Sequence, residues 1–345
     1  MKKKILLMGR SGSGKTSMRS LVFSSYRPSD TRRLGSTLDV EHSHVRFLGN
    51  LSLNLWDCGG QQAYMDSYLE SQRHQVFSSV GVLIYVFDLV GGDDPDGSEE
   101  WDKDVRYYKD CLAALKVHSP TAKVFCLLHK MDLVDATRRK SVYASRVNEL
   151  RRKSEDIAIS PFATSIWDET LYRAWSRIIH TLIPQVGVLE HHLAHFADVN
   201  SAAEVVVFER STFLVISRTS RIGEASGQSE RTTSNLPASP NLDLEGFPED
   251  HNAGGKDTRR LNPERFEKIS ELVKSLKASC SKLQAGFQAL EVQTEDFSAI
   301  FDVLTPNTYI MVVVSDPRVE LAAVRLNILQ AKDHFEKLPA LNIGR

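Results

Sequence analysis

The run Lys4-Ile5-Leu6-Leu7-Met8 passes directly into Gly9-Arg10-Ser11-Gly12-Ser13-Gly14-Lys15-Thr16, an apolar strand feeding a G-x-x-x-x-G-K-[ST] loop. No other feature constrains the fold as tightly. Such a loop needs a buried strand before it and a helix after it, so that the backbone N–H groups from Arg10 to Ser17, brought close by Gly9, Gly12 and Gly14, form an anion nest at a helix N-terminus. Lys15 adds a mobile positive charge. Thr16 offers a hydroxyl to Mg2+, which takes oxygen ligands and shares them with substrate phosphates. The expectation is a nucleoside triphosphate site at the head of an α/β sheet.

The first half of the chain alternates short apolar runs with longer amphipathic stretches, the pattern of a mostly parallel sheet covered by helices. Strands are expected at Ile5 to Met8, His44 to Leu48, Ser52 to Trp56, Val82 to Phe87, Val124 to His129 and Phe162 to Thr164. The second and third, a Gly49-Asn50 turn apart, should form an antiparallel hairpin at the sheet edge. Helices are expected at Lys15 to Ser24, Trp101 to Val117, Val142 to Lys153 and Thr170 to Leu182, and Pro184 ends this domain, residues 1–184.

Residues 185–203 read as a connecting helix and linker, and 204–345 as a second, α+β domain with an antiparallel sheet. Its strands are expected at Glu204 to Ser217 (a hairpin), Phe287 to Val292, Phe297 to Val303 and Thr308 to Val314. One helix is expected to carry Phe266, Ile269, Leu272, Val273, Leu276, Cys280 and Leu283 on one face, and a last helix carries Val324, Ile328, Ala331, Phe335 and Leu338. Between the hairpin and these elements, residues 219–262 are too poor in large apolar side chains to offset the entropy of ordering, and the expectation is disorder.

Charge and hydropathy exclude several classes. A formal net charge of -1 over 345 residues gives no electrostatic case for nucleic acid. The longest apolar runs are of strand length, so no direct membrane insertion is expected. Cys58, Cys111, Cys126 and Cys280 are too scattered for a zinc site or a disulfide framework, in keeping with a cytoplasmic setting. No secretory pattern follows Met1 and no prenylation cysteine lies near Arg345, so any membrane residence would depend on other proteins.

Downstream motifs narrow the ligand. Trp56-Asp57-Cys58-Gly59-Gly60-Gln61 is a D-x-x-G-Q pattern: Asp57 is expected to hold Mg2+ indirectly, from behind its inner ligands or through water, Gly60 to offer its N–H to a γ-phosphate, and Gln61 to orient an attacking water. Thr37 is the expected switch ligand of Mg2+, with Thr31 as a weaker candidate nearer the ribose and outer phosphates. His129-Lys130-Met131-Asp132 follows the fifth strand. The Asp132 carboxylate can accept both N1–H and the exocyclic amine of guanine, a donor pair adenine lacks, while Lys130 can lie along the ring; GTP and GDP are therefore the expected nucleotides. His129 stands where Asn is usual, and Ser165 and Ile166 are placed to meet the guanine oxygen with a backbone N–H.

The loop from Gly9 to Thr16, the run Thr31 to Asn54, Trp56 to Gln61, His129 to Asp132 and Thr164 to Trp175 together resemble the Rag family of Ras-related GTPases, RagA/RagB type with its fungal counterparts. In that family His-Lys-x-Asp is the ordinary form. The resemblance continues through Phe208-Glu209-Arg210 and Phe266 to Ser270 to His334-Phe335-Glu336-Lys337-Leu338. It implies a P-loop GTPase domain followed by a roadblock/longin-like domain that pairs with a RagC/RagD-type subunit. It further implies recruitment to the vacuolar or lysosomal surface by a lipidated scaffold complex, regulation by GTPase-activating and exchange factors, and control of the target of rapamycin kinase complex. Ser11, where fast Ras-like enzymes often carry Gly, implies slow hydrolysis. The alternative is a GTP-binding scaffold with negligible turnover that acts through its dimer partner. His191 and His195 have metal-binding spacing but no further ligand nearby in sequence, and read as a surface helix.

Overall fold

Two sheets organise the chain, whose computed structural model describes residues 2–24, 26–46, 52–89, 98–183, 186–220 and 265–338. The first is built from β1 (Lys2–Met8), β2 (Val40–Arg46), β3 (Ser52–Cys58), β4 (Val80–Asp88), β5 (Lys123–His129) and β6 (Ile159–Thr164). Its order is β2-β3-β1-β4-β5-β6, parallel except for the antiparallel β2–β3 edge pair. The turn expected at Gly49-Asn50 lies outside the described residues.

Because side chains alternate along a strand, β1 and β4 sort their apolar residues onto two faces. Ile5, Leu7, Ile84 and Val86 pack with Met18 of α1 (Lys15–Phe23) and with Trp175 and Ile178 of α6 (Thr170–His180). Leu6, Met8, Tyr85 and Phe87 face the helices α2 (Gln62–Leu69), α3 (Arg73–Phe77), α4 (Ser98–His118) and α5 (Arg139–Ser154). Burial on both faces is why the central strands read as unbroken apolar runs.

The second sheet joins β7 (Glu204–Glu209), β8 (Val215–Ser220), β9 (Leu290–Gln293), β10 (Ser298–Thr305) and β11 (Thr308–Val314) in the order β8-β7-β11-β10-β9. Every pairing is antiparallel. One face is covered by α7 (Val186–Val199) and α9 (Leu321–Lys337), through Leu193, Phe196, Val324, Ile328 and Phe335. This apolar layer is continuous with the α6 side of the first sheet, and the Val215 N–H donates to Ser176 Oγ at 3.2 Å across the junction. The stretch expected to connect the domains thus contributes α7, a helix packed on the second sheet.

The opposite face carries Val206, Phe208, Phe301, Tyr309 and Met311 and meets α8 (Arg265–Lys282) through Val273. The expected helix forms, but the sheet covers only part of its apolar face. Val273 is 1% exposed, but Leu272 is 64% and Leu283 80% exposed. The apolar positions of α8 form one broad face, and the sheet covers only its Ile269 and Val273 edge, leaving the Leu272 and Leu276 edge exposed. Of the expected disordered stretch, Thr219 and Ser220 belong to β8 and residues 221–262 lie outside the described residues. No helix among the described residues is long and apolar enough to cross a membrane.

Candidate functional site

The phosphate loop leaves β1 and closes on α1 as its residue types demand. Gly14 has φ +93°, and a Cβ there would stand 2.7 Å from the His129 ring. Gly60 is confined still more tightly: a Cβ would meet Arg10 C at 2.3 Å and Ser11 N at 2.4 Å, because the Ser11 N–H donates to the Gly60 carbonyl at 2.8 Å. A single cleft is lined by Ser11, Gly12, Gly14, Lys15, Thr16 and Ser17 on one wall, by residues 34–37 on another, and by Gly60 and Gln61. Arg10 and Ser13 belong to the loop without lining this cleft.

Lys15 is 5% exposed and donates from Nζ to the carbonyls of Gly9 (2.7 Å) and Arg10 (2.8 Å). Burial pushes its ammonium down to about 8 against the opposing pull of Asp57. Thr16 Oγ1 donates to Asp57 Oδ2 at 2.9 Å and is hydrogen-bonded to Thr37 Oγ1, so the three residues expected around Mg2+ come from α1, the loop before β2, and β3 to one point. Burial raises the Asp57 carboxyl, with Lys15, Thr16 and Arg19 acting in the other direction. Asp57 Oδ1, Gln61 Oε1 and Ser13 Oγ are buried with no hydrogen-bond partner among the described residues. Two hydroxyls beside a carboxylate with an unmet oxygen form a hard-oxygen set of the kind Mg2+ takes.

Thr31 is not brought to this cluster. It sits in a 3-10 turn, Pro28–Arg33, and its hydroxyl donates to the Pro28 carbonyl at 2.7 Å, an i to i−3 bond that satisfies it locally. Thr37, six residues on, is the threonine that reaches Thr16 beside Asp57.

The base-side residues lie at the adjoining strand ends, where His129 pairs in register with Thr164. His129 is 2% exposed, its Nδ1 is 3.0 Å from Thr164 Oγ1, and burial pushes it down to about 4, so the ring is neutral near pH 7. Lys130 adopts a left-handed conformation (φ 64°) and places Nζ 2.7 Å from Asp88 Oδ2. Asp132 is half-buried, and its backbone carbonyl accepts from Arg139 Nη2 at 3.1 Å. The Ser165 N–H donates to Thr170 Oγ1 at 2.9 Å and is thereby engaged within the loop; Ile166 follows it, partly buried.

Three residues of the site were missed by motif reading. Arg19 donates from Nε to Asp57 Oδ2 at 2.9 Å, and the signal was its place one turn after Thr16 on the same helix. The Tyr68 hydroxyl accepts from the Gly59 N–H at 3.2 Å, for which the sequence holds no local signal. Asp88 could have been noticed as an acid ending an apolar strand.

Lys15, Asp57, Asp88 and His129 thus lie at the carboxyl ends of parallel strands, where open α/β sheets bind ligands, and around a phosphate loop. This defines a P-loop α/β G domain. The model of the Gtr1/RagA G protein conserved region matches residues 4–273, and the chain belongs to the Gtr1/RagA family. It is 49% identical over 337 residues to "Ras-related GTP-binding protein A" of Dictyostelium discoideum, covering 98% of each chain. It is 49% identical over 344 residues to "GTP-binding protein gtr1" of Schizosaccharomyces pombe, covering 100% of this chain and 98% of that one. More distantly, "GTP-binding protein gtr2" of the same yeast is 30% identical over 219 residues, 60% of this chain and 64% of that one.

Proposed function

We propose that the chain is a guanine-nucleotide switch, a GTPase that binds GTP with Mg2+ and hydrolyses it slowly. The observation that carries this reading is the convergence of Thr16, Thr37 and Asp57 beside the cleft that the phosphate loop, Gly60 and Gln61 share. Thr16, Thr37 and Asp57 would hold the metal, which supplies charge neutralisation between the outer phosphates. The loop N–H groups and Lys15 bind the phosphates, Gln61 orients water, and Thr37 ties the preceding loop to the triphosphate-bound state. Asp132 and Lys130 select and flank guanine, and Ile166 offers its N–H to the base oxygen.

We place the chain as one subunit of a heterodimer with a RagC/RagD-type GTPase. Support comes from the similarity to a gtr2 relative and from the exposed apolar edge of α8, with Leu272 64% and Leu276 37% exposed. In this reading the dimer relays amino acid sufficiency to the target of rapamycin kinase complex from the vacuolar or lysosomal surface, where a lipidated scaffold holds it.

The test is the nucleotide carried by protein co-expressed with such a subunit. Gln61→Leu should raise the GTP fraction on this chain, and Thr16→Asn should deplete it of Mg2+·GTP. Unchanged bound nucleotide in both variants would sink the switch reading. A stable monomer with guanine nucleotide would remove the heterodimer alone.

A further inference from the structure

Asp88 sits at the carboxyl end of β4, between the phosphate loop and the base motif, with its side chain 6% exposed. Its Oδ2 is 2.7 Å from Lys130 Nζ and 3.5 Å from Arg10 Nη2. The two cations belong to different recognition segments: Arg10 is the second residue of the phosphate loop and Lys130 precedes the guanine-reading Asp132. A second contact runs parallel to this bridge, since the Leu89 N–H donates to the His129 carbonyl at 3.2 Å and anchors the base motif to the same strand end.

We infer that Asp88 is a positioning residue that couples phosphate binding to base binding, by holding the Lys130 stem in place for guanine and the Arg10 end of the phosphate loop with one carboxylate. The inference rests on the guanine-nucleotide reading of the site. The physical reason for a carboxylate here is that the Lys130 ammonium sits on a flexible four-carbon stem, to which the buried Asp88 carboxylate, 2.7 Å away, gives one direction. Arg10 has a further acid beside it, Glu100 of α4, whose side chain is 64% exposed. Salt screens the exposed Glu100 more than the buried Asp88, so the Asp88 contact is the one that persists at higher ionic strength. Removing the charge from a buried pair leaves the partner cation uncompensated and free to seek water.

The experiment measures release of a fluorescent GDP analogue from full-length protein with its RagC/RagD-type partner. Asp88→Asn, which keeps the shape and removes the charge, should raise the dissociation rate about tenfold, and Asp88→Glu should recover part of it. The decisive readout is a double-mutant cycle with Lys130→Met. If Asp88 acts through Lys130, the double variant releases nucleotide more slowly than the product of the two single effects, any excess over Lys130→Met being its hold on Arg10, whereas a merely structural role makes the two effects multiply. Release within twofold of the unmodified protein for Asp88→Asn, or multiplying effects, would overturn the inference. Asp132→Ala serves as the control: if it also leaves release unchanged, the guanine site itself has been misplaced and the failure belongs to that reading.

Discussion

The two sheets of this protein are finished to different degrees. The first is covered on both faces, and at the carboxyl ends of its strands Lys15, Asp57 and His129 are each 5% exposed or less. The second is covered fully by α7 and α9 on one side but only by the Val273 edge of α8 on the other, leaving Leu272, Leu276 and Leu283 in solvent. One region holds buried charge that a ligand can meet, and the other holds exposed apolar surface that a protein can cover. The difference is the one expected of a domain that binds a small anion joined to a domain that binds another chain.

The comparison breaks most readily at Gly60. Gly60→Ala would push a methyl group into loop backbone that stands 2.3 Å from the ideal Cβ, and triphosphate affinity should fall on the order of 100-fold, measured by titration with a fluorescent GTP analogue. Retained affinity would show that the loop and Gly60 are not mutually fixed.

Acid sharpens the first region next. His129 is held down to about 4 in the fold against an ordinary value of 6.5, so between these pH values the unfolded chain binds more protons than the folded one. Its contribution is therefore complete above about pH 6.5 and is lost as pH falls toward 4, on the order of 3 kcal/mol in all. Urea midpoints at pH 7 and pH 5 should differ less for His129→Asn than for the unmodified chain.

Within α8 the contrast is internal and smaller. Val273→Ala should cost about 2 kcal/mol in denaturant unfolding, since it empties space under the aromatic face of Phe208, Phe301 and Tyr309. Leu272→Ser, one residue away and 64% exposed, should change the isolated chain by less than about 0.5 kcal/mol. That same Leu272→Ser change should weaken co-purification with a RagC/RagD-type subunit; an unaltered complex would move the pairing surface elsewhere.

Local sequence determined the positions of the phosphate loop, the strand ends and the base motif, because each depends on chemistry within a few residues: the glycines of the loop, the apolar runs of β1, β4 and β5, and the carboxylate of Asp132. It also marked Thr16, Thr37 and Asp57 as oxygen donors. What the sequence could not assign was contact between segments far apart along the chain. Thr31 stayed beside Thr37 as a weaker candidate in sequence, and the 3-10 turn that pairs its hydroxyl with Pro28 is what removes it from the cluster. The helices α2 and α3 lack a strong apolar period of their own and are stabilised by packing on α4 and the sheet, so they escaped notice. The orientation of α8 was likewise undetermined, since an apolar face about 120° wide is broader than the contact the sheet offers and either edge of it can be buried. Asp88 and Arg19 owe their roles to partners 42 and 38 residues distant. Local propensity and motif spacing act over single turns of chain, whereas a buried charge acquires its meaning from whichever group the tertiary fold places beside it.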